Sequence, residues 1–194
     1  VSGLLQLGKQ QDALDYITNA TQAHQEMVGF VTRRIHDPVL GGILLGKMSA
    51  AREQGVLLEL DPDSYVPAKD RWLGRVDRVL IVGNLVENAL DAVSSLEEER
   101  RHVWVSVYLD EVELLVEVED TGVGIPAEDR ESILERGFST KPGSKGIGLS
   151  LVMLEVARLG GTLDLESQVG VGSRFVVRLP RDGKGLAGRG EAAG

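Results

Sequence analysis

Apolar positions recur at helical spacing along the first quarter of the chain. Leu4, Leu5 and Leu7, then Leu14, Ile17, Ala20, Met27, Val28 and Val31, are separated by polar residues, and Gly8 predicts a turn between two helices. This is the pattern of a helical hairpin cut off at its front end. Asp37-Pro38 punctuates it, and residues 39–52 predict a short helix that ends near Gly55. Alternation then takes over. Residues 56–60 predict a strand, a polar loop follows at 61–70, and a proline-free helix is expected from Arg71 to about Leu96. Residues 103–109 and 112–119 predict two strands joined tightly at Asp110-Glu111. Residues 127–134 read as a short helix, and 146–159 as another that stops at Gly160-Gly161. A second hairpin, 162–167 and 173–179, turns at Gly170-Val171-Gly172.

This order predicts an α/β fold in which a mixed five-stranded sheet is covered on one face by helices, a two-layer sandwich preceded by a truncated helical hairpin. The expected divisions are residues 1–36 for the hairpin, 37–181 for the α/β domain, and 182–194 for a flexible Gly-rich tail. Composition narrows the function classes. The chain has 194 residues with 21 Lys+Arg against 30 Asp+Glu, a formal charge of −9, which argues against a broad nucleic-acid surface. It has no cysteine, so disulfides, thiolate metal sites and cysteine nucleophiles are excluded together. Apolar runs such as Val79 to Val82 stop far short of the ~18 residues of a membrane helix. A first residue of Val with no signal peptide leads us to expect a piece of a longer protein.

Four constellations carry chemistry. In the long helix, GNLVENALDA at 83–92, a turn of about 100° per residue puts Asp77, Asn84, Asn88 and Asp91 on one stripe opposite Val79, Val82, Val86 and Val93, with Glu87 at its flank. Asparagines are poor helix formers, whereas amide and carboxylate oxygens are hard ligands suited to Mg²⁺. A helix face bonded to a neighbouring loop accounts for the stripe equally well. Next, VEVEDTGVGIP at 116–126 brings Asp120 out of a strand where Gly122 and Gly124 permit a tight turn. A carboxylate there can accept from an exocyclic amine such as that of adenine, though D-x-G-x-G is also an ordinary turn.

Third, GFSTKPGSKGIGLSLVMLEVARLGG at 137–161 sets a polar loop before a helix, so that free amides near Gly146 and Gly148, together with Lys141 and Lys145, can receive phosphates. It is neither a Walker loop nor a dinucleotide fingerprint, and a plain surface connection has the same composition. Fourth, GVGSRF at 170–175 offers Ser173 at a glycine turn, to a ligand or simply to its own backbone.

Taken in order, Asn84/Asn88, Asp120 to Gly124, Phe138, Gly146 to Leu149 and Gly170 to Ser173 resemble the N, G1, F, G2 and G3 boxes of the histidine-kinase ATPase domain, the GHKL or Bergerat fold shared with gyrase, Hsp90 and MutL-type ATPases. The segments GLLQLGKQQDALDYI, DPVLGGILLGKMSAAREQGV and GFSTKPGSKGIGLSLV are similar to the citrate and C4-dicarboxylate sensor kinases of bacterial two-component systems. The resemblance implies a protein histidine kinase that binds ATP and Mg²⁺ and phosphorylates a histidine upstream of residue 1. His24, His36 and His102 read as incidental.

The resemblance further implies metal contacts at Asn88 and Asn84, with Glu87 a candidate for polarising the attacking group. The implied nucleotide contacts are Asp91, Asp120, Gly122, Gly124, Ile125, Phe138, Thr140, Lys141, Lys145, Gly146, Ile147, Gly148, Leu149 and Ser173. One departure is that the first glycine of G2 appears as Ser144 or is displaced to Gly143. The implied setting is the cytoplasmic part of a membrane-anchored bacterial sensor, homodimeric in full length, acting on a response regulator, with no nucleic acid and no membrane contact by these residues. Two other classes stay open: an anti-sigma-type serine kinase or partner-binding module, and a gyrase/Hsp90-type clamp, which puts an acid where Asn84 stands.

Overall fold

The structure, a computed structural model, describes residues 10–68, 75–130, 132–134 and 148–181. In chain order its elements are α1 (Gln10–Arg34), α2 (Pro38–Glu53), β1 (Leu57–Leu60), α3 (Arg75–Val93), β2 (His102–Leu109), β3 (Glu113–Asp120), α4 (Gly148–Arg158), β4 (Thr162–Gln168) and β5 (Gly172–Pro180). The strands form one sheet in the order β1-β2-β3-β5-β4, parallel between β1 and β2 and antiparallel elsewhere. This is the mixed five-stranded sheet expected from the sequence.

Alternation decides which side of the sheet is covered. On β2, Val103, Val105, Val107 and Leu109 point inward, and on β3 Leu114, Val116 and Val118 do the same; all are buried. Over them lies α3, burying Ile81, Val82, Leu85, Val86, Ala89, Leu90 and Val93, with α2 and α4 packed along its two sides. Val79, assigned by its helical angle to this buried side, is 45% exposed, because periodicity fixes direction but not how far the neighbouring layer extends.

Local signals explain where elements begin and end. Asp37 caps α2, its Oδ1 accepting the Leu40 N–H at 2.8 Å, and Pro38 occupies the first turn. Gly55 (φ 66°) ends that helix and Gly160 (φ 70°) ends α4. Between β2 and β3, Asp110 Oδ1 accepts from the amides of both Val112 and Glu113, so β3 starts one residue later than expected. Residues 127–134, expected as one short helix, contain two separate 3₁₀ turns, Ala127–Asp129 and Ser132–Leu134. The Gly8 turn lies outside the described residues.

The connection from α1 is built into the domain. Val31 and Ile35 are buried in the same core as Leu40 and Leu44. Ile35 bridges Val66, with His36 N–H donating to Val66 O at 2.8 Å and Val66 N–H to Arg34 O at 2.9 Å. Arg34 Nε donates to Pro62 O at 2.6 Å. The α/β core therefore reaches back into the last turn of α1.

Leu85, fully buried beneath the helical layer, is the position where truncation leaves an unfilled cavity. Leu85→Ala is expected to cost about 3 kcal/mol in urea unfolding, whereas Leu154→Ala, at a position 62% exposed, is expected to change stability by less than about 0.5 kcal/mol.

Candidate functional site

The polar stripe of α3 divides into two parts. At its N-terminal end Asp77 is taken up by structure: its Oδ1 lies 3.2 Å from an Arg158 Nη of α4, and Arg158 also holds Glu155 one turn earlier. Further along, Asn84 donates its Nδ2 to Leu80 O at 2.7 Å, which leaves its oxygen directed at the start of α4. A Cβ added to Gly148 would lie 2.7 Å from Asn84 Oδ1, so glycine is what allows the first residue of α4 to close against that amide. Leu149 follows, half-buried against the core. Asn88 and Asp91 are half-buried on the next turns, and Asp91 already has a partner. Glu87, more than half exposed, forms an ion pair with Lys47 of α2.

The second part of the site is the end of β3. Asp120 is buried, 4% exposed, opposite Ser173 of β5 in the sheet register. Its Oδ1 accepts the Gly122 N–H at 2.7 Å, and the Ser173 backbone N–H also bonds the carboxylate. Burial pushes this carboxyl up to about 6, against the opposing pull of those two amides. Asp120 is thus an acid that can be ionised at neutral pH and is held in place on both sides.

The glycines around it make room for protein. A Cβ on Gly122 would sit 2.7 Å from Ala92 Cβ at the last turn of α3, and the neighbouring Val123 N–H donates to Ala92 O at 3.3 Å. Gly124 has a φ of 68°, and a Cβ there would meet Gln168 O at 2.1 Å. Gly172, with a φ of 142°, passes so close to β3 that a Cβ would stand 1.8 Å from Asp120 O. Ile125 donates its N–H to Ser167 Oγ at 2.8 Å, and Ser167 Oγ in turn lies 3.0 Å from Ser173 Oγ. The chain after Asp120 is therefore pinned to α3, β4 and β5 at once.

The structure sets Asn84 against Gly148 at the start of α4, and gathers Asp120, Gly122, Gly124, Ile125 and Ser173 at the end of β3, where Gly122 meets Ala92 in the last turn of α3; Asn88 and Asp91 lie on the turns of α3 between these two contacts, and Leu149 follows Gly148. Phe138, Thr140, Lys141, Lys145, Gly146 and Ile147 lie outside the described residues. Among the described residues no three His, Cys, Asp or Glu side chains gather in a way that would hold a metal ion. A divalent cation here would therefore draw on amide oxygens and on its ligand. A shallow depression of about 230 Å³ between Asp61, Trp104, Glu117 and Glu119 lies on the opposite, open face of the sheet, remote from these groups. Sequence reasoning missed Lys47 and Ser167. Lys47 is 40 positions from its partner Glu87, and Ser167 is visible only through the β4–β5 register that pairs it with Ser173.

The family model described as histidine kinase-, DNA gyrase B-, and HSP90-like ATPase matches residues 75–183. The chain is 40% identical over 184 residues to the sensor protein CitS of Halalkalibacterium halodurans, covering 93% of this chain and 34% of that protein. It is 33% identical over 184 residues to the sensor histidine kinase DcuS of Escherichia coli K12, covering 95% and 34% respectively. It spans about a third of the length of these curated relatives. Among solved structures, full-length ShkA in complex with AMPPNP superposes with a TM-score of 0.61 at 22% identity, over 73% of this chain and 29% of that one. At that identity the superposition supports the fold.

The Asp120 environment fixes the sign of a pH effect. Its folded pKa of about 6 lies above the ordinary 3.8, so the folded state favours the protonated form; this stability is complete below about pH 4 and is lost as pH rises through 6. Relative to wild type, Asp120→Asn is expected to gain up to about 3 kcal/mol of ligand-free stability between pH 4 and pH 7, with no further gain above, as read by urea unfolding across pH.

Proposed function

The chain belongs to the histidine kinase-, DNA gyrase B-, and HSP90-like ATPase family, and from that premise we propose that it is the ATP-binding catalytic portion of a two-component sensor histidine kinase. The observation that carries this reading is the buried carboxylate of Asp120 at the end of β3, followed by a turn that packs through Gly122 and Val123 on Ala92 at the end of the helix that carries the asparagines. Its relatives' names, sensor protein CitS and sensor histidine kinase DcuS, support the kinase reading over a mechanical clamp. An amide at position 84, where a clamp would carry an acid, supports it too.

In this reading Asp120 accepts a hydrogen bond from the exocyclic amine of adenine. A carboxylate has no donor of its own when ionised, so it favours an amine over a carbonyl at that position. The amides of Gly122 and Ser173 keep its oxygens aimed, and the Ser167–Ser173 hydroxyl pair holds the strand that supplies the second amide. The phosphate tail lies toward the start of α4, whose first amides have no acceptor within the helix itself; Lys141 and Lys145, which precede that helix in the sequence, are the cations assigned to it in this proposal.

Asn84 and Asn88 offer hard oxygens to the metal or to the phosphates, a donor set that fits Mg²⁺ sharing its shell with a nucleotide. The cation, when bound, neutralises charge on the phosphates. Phosphoryl transfer then breaks the bond between the γ-phosphorus and the bridging oxygen of ADP and forms one to a histidine nitrogen. Positioning and charge neutralisation suffice for such a step, and an inventory of amides, asparagines and lysines supplies both.

The acceptor histidine, a response-regulator partner, a homodimeric whole protein and a membrane-anchored setting belong to the same proposal. No helix among the described residues is long and apolar enough to cross a membrane. Calorimetric titration with a non-hydrolysable ATP analogue, with and without Mg²⁺, tests the reading. Wild type is expected to bind, and Asp120→Ala to bind about ten- to a hundredfold more weakly. Wild-type affinity is also expected to fall as pH drops through about 6 and Asp120 is protonated. Unchanged affinity in Asp120→Ala would remove the adenine role.

A further inference from the structure

Glu87 presents the proposed site with an electrostatic problem. It follows Asn84 by one helical turn and immediately precedes Asn88, and its side chain is 56% exposed. A carboxylate there has the same sign as a phosphate tail approaching those two amides. Residues three or four apart on a helix are neighbours at about 5–6 Å between Cβ atoms, within the Debye length of about 8 Å at physiological ionic strength. Solvent alone therefore does not screen the repulsion.

The counter-charge comes from another element. Lys47 extends from α2 and its Nζ pairs with Glu87 Oε2. The lysine side chain is only 26% exposed, so most of its stem is covered while its ammonium holds the carboxylate toward α2. Stability does not account for the pair. An exposed ion pair adds about 0–1 kcal/mol, and the contact between α2 and its neighbours is already made by buried Leu40 and Leu44.

We propose that Lys47 is a positioning residue for nucleotide binding: by neutralising Glu87 and holding it toward α2, it keeps the Asn84–Asn88 face receptive to phosphate and favours the more highly charged triphosphate. This rests on the reading of that face as the phosphate and metal side of an ATP site. Lys47 acts through Glu87 and does not itself touch the nucleotide, which makes the two residues separable by experiment.

The test is calorimetric titration of the whole chain with a Mg²⁺-bound ATP analogue and with Mg²⁺-ADP, with thermal unfolding of each variant as a control for folding. Lys47→Met is expected to bind the ATP analogue about fivefold more weakly and ADP about twofold more weakly, as loss of one neutralising charge predicts. Lys47→Arg is expected to behave as wild type. The double variant K47M/E87Q is expected to return to within about twofold of wild type, because the carboxylate that needed neutralising is gone. If Lys47→Met does not fold, Lys47→Gln serves in the same comparison. Unchanged affinity on losing the lysine would overturn the proposal, and so would a loss that E87Q fails to repair, which would mean direct contact with phosphate. A wild-type chain that binds neither nucleotide would instead remove the ATP-site reading, and this proposal with it.

Discussion

A carboxylate buried at the end of a strand is costly, and the architecture around Asp120 offsets part of that cost locally. Two backbone amides reach it, one from the turn that follows and one from β5 across the sheet. For the second to arrive, β5 must begin almost in contact with the backbone of Asp120, and only a residue without a side chain can occupy Gly172. For the first, the chain must double back against the last turn of α3, which Gly122 allows. The ends of β3, β4, β5 and α3 therefore meet at a single charged group. If that group is lost, four elements lose their common reference point.

The same constraint explains what could be read from the sequence and what could not. Element boundaries were legible wherever a residue has one dominant local preference: Asp37-Pro38 at the start of α2, Gly160-Gly161 at the end of α4, and the alternating runs of β2 and β3. The stripe through Asn84, Asn88 and Asp91 was also legible, since helical angle depends on spacing alone. Which neighbour each side would meet was not. Val79 falls on the apolar side yet lies beyond the covering layer, and Asp77 falls on the polar stripe yet is claimed by Arg158.

Glycine is the sharpest case. A sequence shows that a Cβ is absent but not what fills the space. At Gly122, Gly124 and Gly172 that space holds Ala92, Gln168 and the carbonyl of Asp120, so the motif shapes the site by packing the protein against itself. Local chemistry also governs charge. An overall balance of −9 says little about a helix on which acids are answered individually, Glu87 by Lys47 and Asp77 by Arg158.

The junction of α1 with the domain has a mechanical meaning. A slack joint needs a segment with few buried contacts. Residues 31–36 instead carry two buried core side chains, a guanidinium clasped to Pro62 and a short parallel bridge to Val66, whose neighbour Tyr65 is bridged in turn to Tyr108 of β2. The helix and the sheet edge are thus geared together. A bend between them has to break these contacts, whereas a bend N-terminal to Val31 leaves them in place.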